Sequence, residues 1–146
     1  MAETKWGENI ITELKGPDAI MGERAAEYAK WATRILWMDS NNVPGAFQLG
    51  ISWYRKPPER QMAGSHKHDV DEIIAFIGSD PENPNELNGE IELWIEDEKH
   101  IITRSALVFV PAGVEHCPLR VLRVEEGKPI LHFTTVTSGR YEQITD

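Results

Sequence analysis

The sequence predicts an all-β fold, a sandwich or barrel, with a short N-terminal extension containing a little helix. Three observations point there: many short stretches of apolar alternation, turn clusters rich in Gly, Pro and Asn between them, and a single stretch with a partial 3.6-residue period. The length of 146 residues suits one domain, divided as an extension over 1–30, a barrel over 31–137 and a tail over 138–146. A chain of this size can form a core without disulfides or a structural metal, so any metal is expected to serve chemistry.

In chain order, Ile10, Ile11 and Leu14 form a small apolar group that Gly16-Pro17 interrupts. Between 23 and 37, Ala25, Ala26, Tyr28, Ala29, Ala32, Ile35 and Leu36 partly fit a helical period, while 33–37 also suits a strand. A short helix followed by a strand satisfies both. Turn formers at 39–45 lead into 46–54, where Phe47, Leu49, Ile51 and Trp53 alternate as a strand with one heavily apolar face. Beyond Pro57-Pro58, strands are expected at 71–77, 90–95, 100–103, 106–110, 119–124 and 130–137. The polar, Pro-rich segment 79–86 is expected as an exposed loop.

Composition removes several classes of partner. Lys plus Arg number 15 against 24 Asp plus Glu, and the net charge of −9 opposes binding to a phosphate backbone or an anionic lipid surface. No helix-turn-helix pattern accompanies the strands, so no nucleic-acid partner is expected. Apolar runs fall far short of the ~20 residues that cross a bilayer, so no membrane partner is expected either. The N-terminus lacks the basic flank and apolar core of a signal peptide, and the single cysteine cannot close an internal disulfide, which together point to the cytoplasm.

Chemistry concentrates in two groups: His66-Lys67-His68 with Glu72, and His116 inside Pro111-Ala112-Gly113-Val114-Glu115-His116. Residues two apart on a strand share a face, so His66 and His68 can offer two imidazoles to one ion. A straight strand from His66 to Glu72 would span roughly 20 Å, whereas metal ligands must converge within a few Å. The chain is therefore expected to bend at Asp69-Val70-Asp71, with Glu72 opening a strand that folds back. His116 would arrive from a later strand, aimed by the Pro111/Gly113 turn. Imidazole and carboxylate ligands suit one divalent transition ion, with Fe, Mn, Ni, Zn or Cu all compatible.

Other residues keep two readings each. Trp53, Tyr54, Phe76 and Trp94 either line an apolar pocket around the ion or pack in the core. Phe76 shares a face with Glu72 and Ile74 by alternation. His132, on the apolar strand Ile130-Leu131-His132-Phe133, is either a satisfied core residue or a cavity-lining acid or base. Cys117, if its segment is extended, points away from His116 and is buried as a small apolar residue. Arg120 either grips a substrate carboxylate or lies exposed. His100 sits among charges and is expected at the surface.

The run Gly64-Ser65-His66-Lys67-His68-Asp69-Val70-Asp71-Glu72, then Gly78, then Pro111-Ala112-Gly113-Val114-Glu115-His116, resembles the HxHxxxE and PxGxxH motifs of the cupin superfamily. The motifs span 60–117, and the strand count extends the likeness to Val136. The resemblance implies a double-stranded β-helix, or jelly-roll, barrel with a metal in its mouth on His66, His68, Glu72 and His116, Fe or Mn being favoured. It departs from the pattern at Arg60, Gly78, Ser105 and Arg120, none of them a ligand. The function expected is a metal-dependent enzyme on a small organic acid or related metabolite, an oxygenase or a lyase/isomerase, with Glu72 and His132 catalytic and Trp53, Phe76 and Arg120 in the substrate pocket. The alternative is a non-catalytic small-molecule-binding or sensing module. Two-fold dimers being the commonest soluble oligomers, and the 46–54 strand being rich in apolar side chains, a homodimer is expected.

Overall fold

The computed structural model describes residues 4–60 and 64–145; positions 1–3, 61–63 and 146, which fall within the segments named above, lie outside it. A 3-10 turn, Gly7–Asn9, and two short helices, α1 (Asp18–Met21) and α2 (Glu23–Ala29), precede eight strands. These are β1 (Ala32–Met38), β2 (Gln48–Tyr54), β3 (Glu72–Ile77), β4 (Glu86–Ile95), β5 (Glu98–Arg104), β6 (Ala106–Val110), β7 (His116–Val124) and β8 (Ile130–Val136). They form a five-stranded sheet in the order β1-β2-β8-β3-β6 and a three-stranded sheet β5-β4-β7, antiparallel throughout. This is a jelly-roll barrel: all-β, as the turn-punctuated alternation predicts, and of the jelly-roll kind that the motif resemblance implies. None of the described helices is long and apolar enough to cross a membrane.

Period-two patterning sets which side chains meet inside. On β3, Glu72, Ile74 and Phe76 are buried, and on β4 Leu87, Ile91 and Leu93 are fully buried opposite them. Val110, Val121 and Ile130 complete the packing between sheets. On β2 the burial is opposite to the hydrophobic pattern: Gln48, Gly50, Ser52 and Tyr54 face inward, and Leu49, Ile51 and Trp53 face outward. Of these inward positions, Gly50, Ser52 and Tyr54 line a cavity, where a small residue and two hydroxyl groups are accommodated.

Two departures from the family pattern meet in space. Gly78 N–H donates to Ser105 Oγ at 2.9 Å, and that hydroxyl donates to the Pro84 carbonyl at 2.6 Å. The chain at Gly78 also runs so close to β4 that a Cβ there would sit 1.9 Å from the Glu86 carbonyl oxygen. Backbone cannot yield as a side chain can. Gly78→Ala should therefore cost about 2–3 kcal/mol, by the usual scale of forced overpacking, while Gly64→Ala, which meets nothing within 4 Å, should leave stability unchanged; urea denaturation of both variants checks this.

Candidate metal centre

The expected bend occurs. β3 begins at Glu72, and the preceding His66–His68 segment lies against the start of β7, where His66 and His116 exchange backbone hydrogen bonds of 2.9 and 2.8 Å. The turn at Pro111 and Gly113 closes the arrangement: Gly113, at φ +82, donates its N–H to the His68 carbonyl at 2.7 Å. The Asp71 carboxylate accepts from Ala112 N–H at 2.9 Å, tying the bend to the same turn. The two sequence groups are thus clamped together by main-chain bonds before any ion is considered.

His66, His68, Glu72 and His116 are all buried, each no more than 4% exposed. Every one of the three rings has its Nδ1 on a backbone carbonyl: His66 on Gly64 at 2.8 Å, His68 on Glu142 at 2.5 Å, and His116 on Val114 at 3.0 Å. A carbonyl only accepts, so each Nδ1 carries the proton and each Nε2 holds a lone pair. Among the described residues, those three Nε2 atoms, as lone-pair acceptors, and both Glu72 oxygens have no hydrogen-bond partner. Glu72 Oε1 stands 2.8 Å from His116 Nε2 and 3.4 Å from His68 Nε2. Lone pairs and a carboxylate at such distances, out of water, repel unless a cation lies among them. Carbonyl-oriented imidazoles with inward Nε2 atoms are the arrangement of metal-bound histidines, and the donor set fits a divalent cation.

Burial alone would raise the Glu72 carboxyl; protons on the facing imidazoles of His116 and His68 would outweigh it and bring it down to about 2, the same service that a cation among the neutral rings performs. Burial holds His66 below the ordinary imidazole value, which keeps its ring neutral and available as a donor. The donors resolve into two overlapping triplets, His68/Glu72/His116 and His66/His116/Cys117, each with all its donor atoms within 4.8 Å of one another. Cys117 thus joins the cluster. Its φ of +73 breaks the alternation that would turn it away from His116, and its thiol lines the same cavity as the histidines.

That cavity has a volume of about 400 Å³. Its walls include Ser52 and Tyr54 of β2, Ile74 of β3, Leu119 and Val121 of β7, and His132 and Thr134 of β8. His132 stacks between Tyr54 and Phe76, with ring centroids at 4.5 and 5.1 Å, and its Nδ1–H donates to the Ala75 carbonyl at 3.1 Å. Nε2 is left as the lone-pair nitrogen of a ring that lines the cavity. Phe76 itself is fully buried in the core and supports this stack rather than the cavity wall. Trp53 and Trp94 are not among the cavity's lining, and Arg120 lies on the exposed side of β7 beside Glu92 at 3.4 Å. Pocket positions for Trp53 and Arg120 are therefore corrected: β2 and β7 turn those two positions outward.

Several residues of the site carry no motif signal. Arg34 of β1 faces inward and stacks on Tyr28 of α2 at 4.3 Å from guanidinium carbon to ring centroid. Among the described residues no carboxylate pairs with it. The tail also returns to the site: Tyr141 lies 4.8 Å from the His68 ring, and the Glu142 carbonyl orients that ring. A lone arginine within an otherwise apolar strand is the one clue the sequence offers to Arg34; a carbonyl supplied by the tail leaves no sequence trace.

The two-sheet barrel and its buried His/Glu cluster define a class, the cupin fold. No protein-family model and no curated protein matches the chain. Among solved structures it is similar to a cupin 2 domain-containing protein from Halorhodospira halophila, at 12% identity and TM-score 0.50 over 79% of this chain and 69% of that one. It is also similar to a cupin superfamily protein from Desulfitobacterium hafniense, at 11% identity and TM-score 0.44 over 72% and 74%, and to KdgF from Halomonas sp., at 14% identity and TM-score 0.41 over 75–80% of each chain, 76% of this one and 79% of that one.

Burial lowers the His132 imidazole from 6.5 to about 4, so the unfolded chain takes up this proton first. The contribution of His132 is complete above pH 6.5, falls as the pH drops towards 4, and is lost below that. The loss amounts to about 3 kcal/mol at most. His132→Phe should flatten the stability of metal-free protein over that window relative to wild type, measured by urea denaturation at each pH; parallel curves would refute the assignment.

Proposed function

We propose that this chain is a mononuclear metal-dependent enzyme acting on a small organic acid or related anionic metabolite, of the oxygenase or lyase/isomerase type. The observation that carries this reading is an arginine, Arg34, which among the described residues has no carboxylate partner, in the wall of the cavity that holds the His/Glu cluster. A divalent ion on His66, His68, Glu72 and His116, Fe or Mn in preference to Ni, Zn or Cu, would supply Lewis acidity or oxygen chemistry.

The chain's own residues have separable tasks. Arg34 receives the anionic end of the substrate, its guanidinium held over the Tyr28 ring. Glu72 brings the only negative charge of the ligand set and so sets how electrophilic the centre is. His132, neutral at physiological pH and fixed by its bond to Ala75, offers Nε2 to a substrate proton. Trp31, Tyr54 and Trp37 wall the cavity with rings that exclude water. A net charge of −9 opposes binding to nucleic acid, and the reading places the protein in the cytoplasm.

The proposal includes a homodimer built on the outer face of the five-stranded sheet. Register aligns Leu36, Ile51, Phe133, Ala75 and Leu107 in one outward row and Met38, Leu49, Thr135, Ile73 and Phe109 in the next. Neither row contains a charge, and Leu107 and Phe109 are 70% and 60% exposed. A flat apolar face of this kind suits sheet-on-sheet packing with a second copy. Light scattering at micromolar protein should give a dimer mass for the wild type and a monomer mass for the Leu107→Glu/Phe109→Glu double variant; a monomeric wild type would remove the dimer from the proposal.

Activity is tested by screening small carboxylic acids against apo and metal-loaded protein, with oxygen uptake and anaerobic product analysis run side by side. Turnover should require metal. Arg34→Met should raise KM by roughly 10–100-fold, the scale of a charge-assisted hydrogen bond, with a smaller effect on kcat. Turnover by apo protein would make the ion a bystander, and tight binding without turnover in any metal form would favour a binding module.

A further inference from the structure

The second donor triplet has a chemistry of its own. His66, His116 and Cys117 are buried, with nitrogen and sulfur donors within 4.8 Å of one another, while His68, Glu72 and His116 form the other set at the same spacing. His116 belongs to both. One set ends in a carboxylate, which suits harder ions, and the other in a thiol, which suits softer ones. Cys117 is placed there by the left-handed φ of +73 immediately after His116, so strand alternation does not carry it away.

We propose that the centre has two loading modes that share His116, and that Cys117 is a sulfur donor capturing thiophilic ions such as Co(II) or Zn(II). This deepens the reading of the cluster as a metal centre and rests on it. In the sulfur mode the S–H bond breaks, its proton passes to the buffer, and a sulfur–metal bond forms; no electron is transferred. Mn(II), which has little affinity for thiolate, takes the carboxylate mode instead. Which ion is present thus decides which side chains hold it, and a soft ion competes for His116 without needing Glu72.

The test is direct because Cys117 is the chain's single cysteine. Apo protein, kept reduced, is titrated with Co(II) and followed in the near ultraviolet, where a thiolate-to-cobalt charge-transfer band can arise from no other cysteine. The band should saturate at one ion per chain, vanish in Cys117→Ser and persist in Glu72→Gln. Mn(II) binding, followed by electron paramagnetic resonance, should be unchanged in Cys117→Ser and weakened at least about tenfold in Glu72→Gln. Stoichiometric Co(II) binding to wild type without the sulfur band overturns the sulfur mode and leaves the metal centre standing. Failure of wild type to bind either ion overturns the metal centre itself. Should Cys117→Ser not fold, the wild-type spectrum decides the point alone.

Discussion

Burying one carboxylate among three imidazole lone pairs is the constraint on which the rest of the structure depends. Taken out of water, Glu72 and the Nε2 atoms of His66, His68 and His116 have no hydrogen bonds to replace those they lose. An unsatisfied cluster of this size would cost several kcal/mol, a large share of the stability of a small domain. A cation among the donors reverses the sign, turning mutual repulsion into shared attraction. The fold supplies what makes this possible: a main-chain clamp between His66 and His116, and a glycine turn that brings the PxGxxH segment against His68.

Orientation is held by backbone rather than by side chains. Each histidine gives its Nδ1 proton to a carbonyl, so the rings cannot flip their donor atoms away from the centre without losing a bond. Two of these carbonyls, of Gly64 and Val114, lie two residues before their own histidine. The third, of Glu142, comes from the far end of the chain, and the bridge between Lys67 and Ile144 anchors it. The tail therefore supports the candidate metal centre, and Tyr141 brings an aromatic wall with it. The N-terminal helices α1 and α2 also contribute to the cavity wall, through Ile20, Arg24 and Tyr28.

Strand alternation made most of the sheets legible, because inward apolar residues on β3 and β4 follow the period of two without interruption at the site. The bend at 69–71 was legible from distance alone, since no straight strand can bring His66 and Glu72 together. What escaped the sequence has physical causes. On β2 the apolar side of the strand is the outer one, because the inward Gly50, Ser52 and Tyr54 line the cavity and the outward positions belong to an uncharged sheet face; this moves Trp53 out of the pocket. One left-handed residue undoes alternation at Cys117, and no pattern rule anticipates a non-glycine residue at positive φ. Arg120 and Arg34 show the limit of residue type as a guide: both are strand arginines, yet register sends one to solvent beside Glu92 and the other into the cavity.

The proposed role of the buried imidazoles and carboxylate is to hold a cation. His116 is the donor common to both triplets, so its removal strikes the centre whatever ion occupies it. The most direct measurement is the metal content, by inductively coupled plasma mass spectrometry, of wild type and His116→Ala after each is loaded with a divalent ion and desalted. Close to one ion per chain is expected in the wild type and almost none in the variant, with both chains folded by circular dichroism. Equal metal contents, or none in either, would contradict it.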